Sequence, residues 1–173
     1  MKNRDHNQKS IIKRMGSGLL VGLLLLCITA CGKGNSVVMV SIEGELSDIM
    51  ADIYENADLD TETKEAMDGY VLDILTADNE EALLGAADVP YIEGVFSVPM
   101  ISSIAYQCVL LRVEPNNVEE VKETLLTNAD LNKWVCVSAE TVLAESVGDL
   151  VLFIMGEENT ASAVSVSFQA LGS

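Results

Sequence analysis

From Cys31 to its end the chain has no histidine, the only imidazole being His6. A Ser-His-Asp or Cys-His catalytic set therefore cannot be assembled from that stretch, because no side chain there can act as the imidazole base. Cysteine is nearly as scarce. Beyond Cys31 only Cys108 and Cys136 remain, and two thiols that far apart with no histidine do not make a zinc site. Gly-x-Ser-x-Gly, a phosphate loop and the dinucleotide-binding glycine fingerprint are absent, as is Ser-x-x-Lys from Cys31 onward. Basic side chains are few, ten Lys and Arg against 27 Asp and Glu, and five of the ten precede residue 31. Cys31–Ser173 thus carries five basic and 26 acidic side chains, a net charge of −21. Nucleic acid is excluded as a partner, since phosphate-backbone binding runs on Lys and Arg. Lying flat on an anionic membrane is disfavoured for the same reason. Such acidity either attracts cations or basic partners or, on the plain reading, makes a soluble, self-repelling surface.

What is present begins with Lys2, Arg4, Lys9, Lys13 and Arg14, followed by the apolar run Leu19–Ile28 and the small residues Thr29 and Ala30. That is the layout of an export signal, and the run falls short of the ~20 residues of a spanning helix. Ile28-Thr29-Ala30-Cys31 resembles the lipobox of bacterial lipoproteins. The resemblance implies that Cys31 takes a diacylglycerol on its sulfur and becomes the first residue after cleavage. Two acyl chains would give stable anchoring where one gives only marginal binding. The other readings are an ordinary cleaved signal and an uncleaved N-terminal anchor. The expected organisation is a signal peptide over 1–30, a tether over 31–41 and a single domain over 42–173.

The spacing of Ile42, Leu46, Ile49, Met50 and Ile53 predicts a helix over about 42–56, with Ser41 as its cap. Asp58–Glu62 opens like a calcium loop, but Thr63 and Gly69 stand where glycine and glutamate are required. An acidic turn is expected instead, with Asp60 capping a helix that buries Ala66, Met67, Tyr70, Val71 and Ile74. A helical turn follows over Asp78–Leu84, ended by Gly85. Strands are expected at Tyr91–Val98, Ile104–Val113, Trp134–Ser138, Glu140–Ser146 and Asp149–Met155. Asn117 and Glu120 resemble a capping box for a helix burying Val118, Val121 and Leu125, and a last helix covers about Thr160–Leu171. The whole reads as an α+β fold: N-terminal helices followed by a mixed sheet with helices packed on one face. With Cys108 and Cys136 both in expected strands, a disulfide requires neighbouring strands and a shared face. Two buried free thiols are the alternative.

The segments Ser97–Tyr106, Asn132–Val137 and Val147–Val151, taken with the lipobox, resemble an uncharacterised family of small lipoproteins from Gram-positive anaerobic bacteria, defined by a domain of unknown function. The resemblance covers roughly residues 43–171. It implies a single exported, lipid-anchored domain and carries over no catalytic, metal or cofactor-binding residue. In the connection Pro99–Ser103, the residues Met100, Ser102 and Ser103 are either a contact loop for a peptide or protein partner or a bulged hairpin with serines bonding their own backbone. The expectation is a non-catalytic binding or interaction module without cofactor, held at the outer face of the cytoplasmic membrane by the diacylglycerol on Cys31. The rivals are a carboxylate-dependent envelope hydrolase and a structural or assembly lipoprotein.

Overall fold

Leu46, Ile49, Met50 and Ile53 recur at the three- and four-residue spacing that aligns side chains on one helical face. In the computed structural model, which describes residues 41–173, all four are buried in helix α1, Leu46–Asn56. The expected signal peptide, Cys31 and the expected tether up to residue 40 lie outside the described residues. A short α2, Thr61–Met67, starts at Asp60, whose carboxylate accepts from the Thr63 N–H at 3.0 Å and from its hydroxyl at 2.8 Å. Strand β1, Val71–Ile74, comes next, and then α3, Glu80–Leu84, which closes on Gly85 in the left-handed conformation. The remaining elements are β2, Glu93–Val98; β3, Gln107–Arg112; α4, Val118–Asn128; β4, Thr141–Val147; β5, Leu150–Gly156; and α5, Glu158–Gln169.

The five strands form one antiparallel sheet in the order β1-β2-β3-β5-β4. Because β3 and β5 lie inside the sheet, β5 is buried along its full length and β3 along all but Arg112. Cys108, Leu110, Leu152 and Ile154 point to one face, where α1 and α5 pack. Val109, Leu111, Val151 and Phe153 point to the other, covered by α4 together with Leu83 and Leu84 of α3. Two apolar layers therefore sandwich the sheet.

The α+β class holds, with two differences in detail. The sheet is antiparallel throughout where a mixed one was expected: α4 carries the chain across from β3 to β4, which run parallel, but β5 inserts between them as the antiparallel partner of both. Helices cover both faces where one was expected, because the continuous apolar run of β5 supplies two apolar faces and each must be buried.

Several local expectations are corrected. The helix expected to run through Ile74 stops at Met67, with Gly69 and Tyr70 in the turn, and Val71–Ile74 pairs with β2. Tertiary pairing of a β-branched segment outweighs its helical spacing here. Trp134–Ser138 is a loop, tied down locally by bonds such as Ser138 Oγ to Asn132 Oδ1 (2.8 Å), and Cys136 within it has a φ of 63°. Cys136 is consequently exposed while Cys108 is buried, and both thiols are free. Asn117 precedes α4 with a helical backbone and makes no side-chain cap bond, so the capping box does not form.

Ser41 does not cap α1 either. Its hydroxyl donates to Asp149 Oδ2 at 2.8 Å, and the Ile42 N–H donates to Asp149 Oδ1 at 2.9 Å. Arg112 closes the clamp. Its Nη1 donates to Asp149 Oδ2 (2.9 Å) and to the Ile42 carbonyl (2.7 Å), its Nη2 to the Gly44 carbonyl (3.0 Å), and its Nε to Glu93 (2.8 Å). Asp149 stands in the two-residue β4–β5 turn, after Gly148 with its φ of 57°. The chain thus enters the domain at the sheet end that carries this turn. The β2–β3 connection leaves from the opposite end, a six-residue strand or roughly 20 Å away.

Candidate functional site

Met100, Ser102 and Ser103 stand where the sequence placed them, in an exposed connection between β2 and β3, with Met100 79% accessible. The connection is braced through its backbone, the Ser102 carbonyl accepting from the Val135 N–H at 3.3 Å. Ile101, Ile104 and Val135 are also exposed, so the site is an apolar tip. Of these side chains Ile104 borders a hollow of about 350 Å³ shared with Tyr70 and Tyr106.

The concave site lies elsewhere, between α1 and β1. Two hollows of about 520 and 450 Å³ share Leu72 and together form a groove along the sheet edge. Leu72 and Ile74 make its floor, 43% and 63% accessible, and Ile92 at 57% extends it. One wall is the flank of α1, with Ser47, Ala51 and Tyr54. Met67 and Tyr70 close one end. The groove exists because the sheet has five strands while α1 and α5 cover the middle and far side of this face. All four residues of β1 are exposed.

A bare edge strand invites another strand, but this edge is nearly closed to one. Leu75 N–H donates to the Gly94 carbonyl, which sets the alternation, so the backbone groups of Leu72 and Ile74 face outward. The Ile74 N–H is taken by Asp73 Oδ1 at 2.8 Å, and its carbonyl accepts from Asn79 at 3.3 Å. The Tyr70 N–H is taken by the Met67 carbonyl at 3.0 Å. Only the peptide groups of Leu72 are left facing outward, too few for a ladder.

The polar groups around the groove are strongly one-sided. Among the described residues, Glu45, Glu55 and Asp68 stand on its rim against a single cation, Lys64. That ammonium already donates to the Glu55 carbonyl at 2.8 Å. Glu93 is engaged with Arg112.

Several reactive side chains beneath and beyond the groove are committed to structure. Burial pushes the Cys108 thiol up to about 12, outweighing the lowering by the Tyr54 and Tyr106 hydroxyls, which leaves it protonated and un-nucleophilic. Burial likewise raises Tyr106 and Tyr54, joined by a 3.0 Å hydrogen bond between their hydroxyls. Lys133 is pushed down by burial, with Asp130 opposing, and its ammonium is held by the Gln107 amide oxygen (2.7 Å) and the Ala82 carbonyl (2.5 Å). Burial raises Asp149, but the Ile42 N–H, the Ser41 hydroxyl and the Arg112 guanidinium together outweigh it and hold the carboxyl below its ordinary range. Ionised and accepting from all three, it has no proton to donate. The groove offers shape, apolar surface and negative charge.

No protein-family model, curated protein or solved structure matches this chain. Sequence spacing places Leu72 and Ile74 within a helix and so does not reveal them as groove residues. The signal that could have found them is Gly69 followed by Val71-Leu72-Asp73-Ile74, a glycine break before a β-branched run.

Proposed function

We propose that this protein is a non-catalytic binding module, exported and held at the outer face of the cytoplasmic membrane by a diacylglycerol on Cys31. The observation that carries the binding assignment is the α1–β1 groove, an apolar floor left open on an otherwise well-covered sheet. Contiguous apolar surface of this kind costs solubility and marks interaction sites. The guarded edge beside it points the same way, since strand addition is suppressed while the floor stays bare. The anchor is supported by the signal layout, the lipobox resemblance and the resemblance to small lipoproteins. Among the described residues no helix is long and apolar enough to cross a membrane, so the domain itself supplies no span.

A photocrosslinking amino acid at Ile74 in intact cells tests the binding assignment. A discrete adduct is expected at Ile74 and none at Ser162 on α5, an exposed position away from the groove. Equal, diffuse labelling from both would remove the groove as a site. For the anchor, Cys31→Ala is expected to leave unprocessed precursor without acyl label; normal processing and labelling of that variant would refute it.

A further inference from the structure

The shape of the groove restricts what can fill it. Helices packed on a sheet lie 8–10 Å from one another and strands about 4.8 Å apart, so each helix covers about two strands. With α1 over β2 and β3 and α5 over β4 and β5, this face of the five-stranded sheet is one helix short, and the uncovered strand is β1. The flank of α1 beside the gap presents Ser47 and Ala51, four residues apart and both exposed, so a neighbouring helix can approach closely. Strand addition is blocked by the bonds at Tyr70, Asp73 and Asn79 described above. Among the described residues the rim carries Glu45, Glu55 and Asp68 against Lys64 alone, whose ammonium is bonded to the Glu55 carbonyl. A second copy of this chain would set acid against acid, at a formal net charge of −17 for each full chain.

We infer that the groove takes an amphipathic, basic helix of a partner protein. Its apolar stripe rests on Leu72, Ile74 and Ile92, and its flanking Lys or Arg side chains face Glu45, Glu55 and Asp68. This inference rests on the groove being the binding site and adds the class of its occupant. Recognition is of the helix-in-groove type, in which apolar anchors supply affinity and charges supply orientation and partner choice.

The test uses the lipidated protein in nanodiscs of uncharged phosphatidylcholine, with empty nanodiscs as background. Three labelled synthetic peptides are compared by fluorescence anisotropy: a Leu/Lys amphipathic helix of roughly five turns, a Leu/Glu helix with the same apolar stripe, and an alternating Val/Lys strand-forming peptide. The Leu/Lys helix is expected to bind at least about tenfold more tightly than the other two. Leu72→Ser with Ile74→Ser should weaken it about tenfold or more, and Glu45→Gln with Glu55→Gln several-fold. The glutamate pair is exposed, so circular dichroism and melting of that variant should match the parent and separate lost binding from lost folding. Equal binding of both helices, with loss in the serine variant, would overturn the basic partner and keep the groove. Preference for the strand peptide, or binding indifferent to the serine pair, would overturn the helical occupant. Were no peptide to bind, a discrete adduct at Ile74 in cells would overturn only this inference, whereas its absence would remove the binding site as well.

Discussion

Asp149→Asn is expected to lower the unfolding free energy by roughly 2–4 kcal/mol at neutral pH. The aspartate has 8% of its surface exposed and accepts from Ser41, Ile42 and Arg112. An amide of the same shape keeps one acceptor oxygen. Its NH2 group faces donors on the other side, so the Ser41 hydroxyl and Arg112 lose their partner. Arg112 would keep Glu93, but that carboxylate is half-exposed and is the weaker anchor. Urea denaturation of parent and variant measures the difference. Its pH dependence has a definite sign. The folded carboxyl titrates below its ordinary value of 3.8, so between the two values the unfolded chain binds more protons. The stabilisation is therefore complete above the ordinary value and is lost as pH falls through the folded one. Parent and variant should differ fully at pH 7 and converge in strong acid. A difference that stays constant through the acid range would mean that the charge of Asp149 contributes nothing.

Gly85→Ala should cost about 3 kcal/mol or more, through two separable effects. Gly85 closes α3 with a φ of 76°, which an L side chain adopts at about 1 kcal/mol. The larger effect is steric. An added Cβ would run into the Asn128 carbonyl oxygen at the end of α4, a backbone atom that yields only if the two helix ends separate. Gly44→Ala carries backbone strain without the collision: its φ of 122° lies outside the left-handed region an L residue reaches readily and costs about 1–3 kcal/mol, while an added Cβ there meets only the Ile49 side chain at ordinary contact distance. Thermal melts are expected to show a loss of that size for Gly44→Ala and a larger one for Gly85→Ala. A Gly85→Ala loss of only about 1 kcal/mol, that of its φ alone, would show that α3 and α4 are not held together at this point.

The groove occupies a part of the chain where local and tertiary preferences disagree. Residues 61–67 are helical because Asp60 caps them and Met67 buries its side chain, both local events visible as a capping residue before an apolar position. Val71 and Ile74 continue that helical spacing, so the pattern alone extends the helix through them. They became a strand because β2 offers a ladder, and sequence spacing does not announce a ladder. Trp134–Ser138 is the converse. It has strand composition but joins no ladder, and local bonds such as Ser138 Oγ to Asn132 Oδ1 fold it into a loop that also turns Cys136 outward.

By itself, the order of residues determined the α+β class, α1 and α4 with their buried stripes, the Asp60 cap, the Gly85 stop and the fully buried β5. Each follows from hydrophobic periodicity or from the conformational demands of one residue, information contained within a few neighbouring positions. Only the tertiary structure decided that both faces of the sheet would be covered, that β1 would form its bare edge, and that Asp149 and Arg112 would hold the entering chain. Those outcomes depend on which distant segments meet, and that is set by the burial of the whole core.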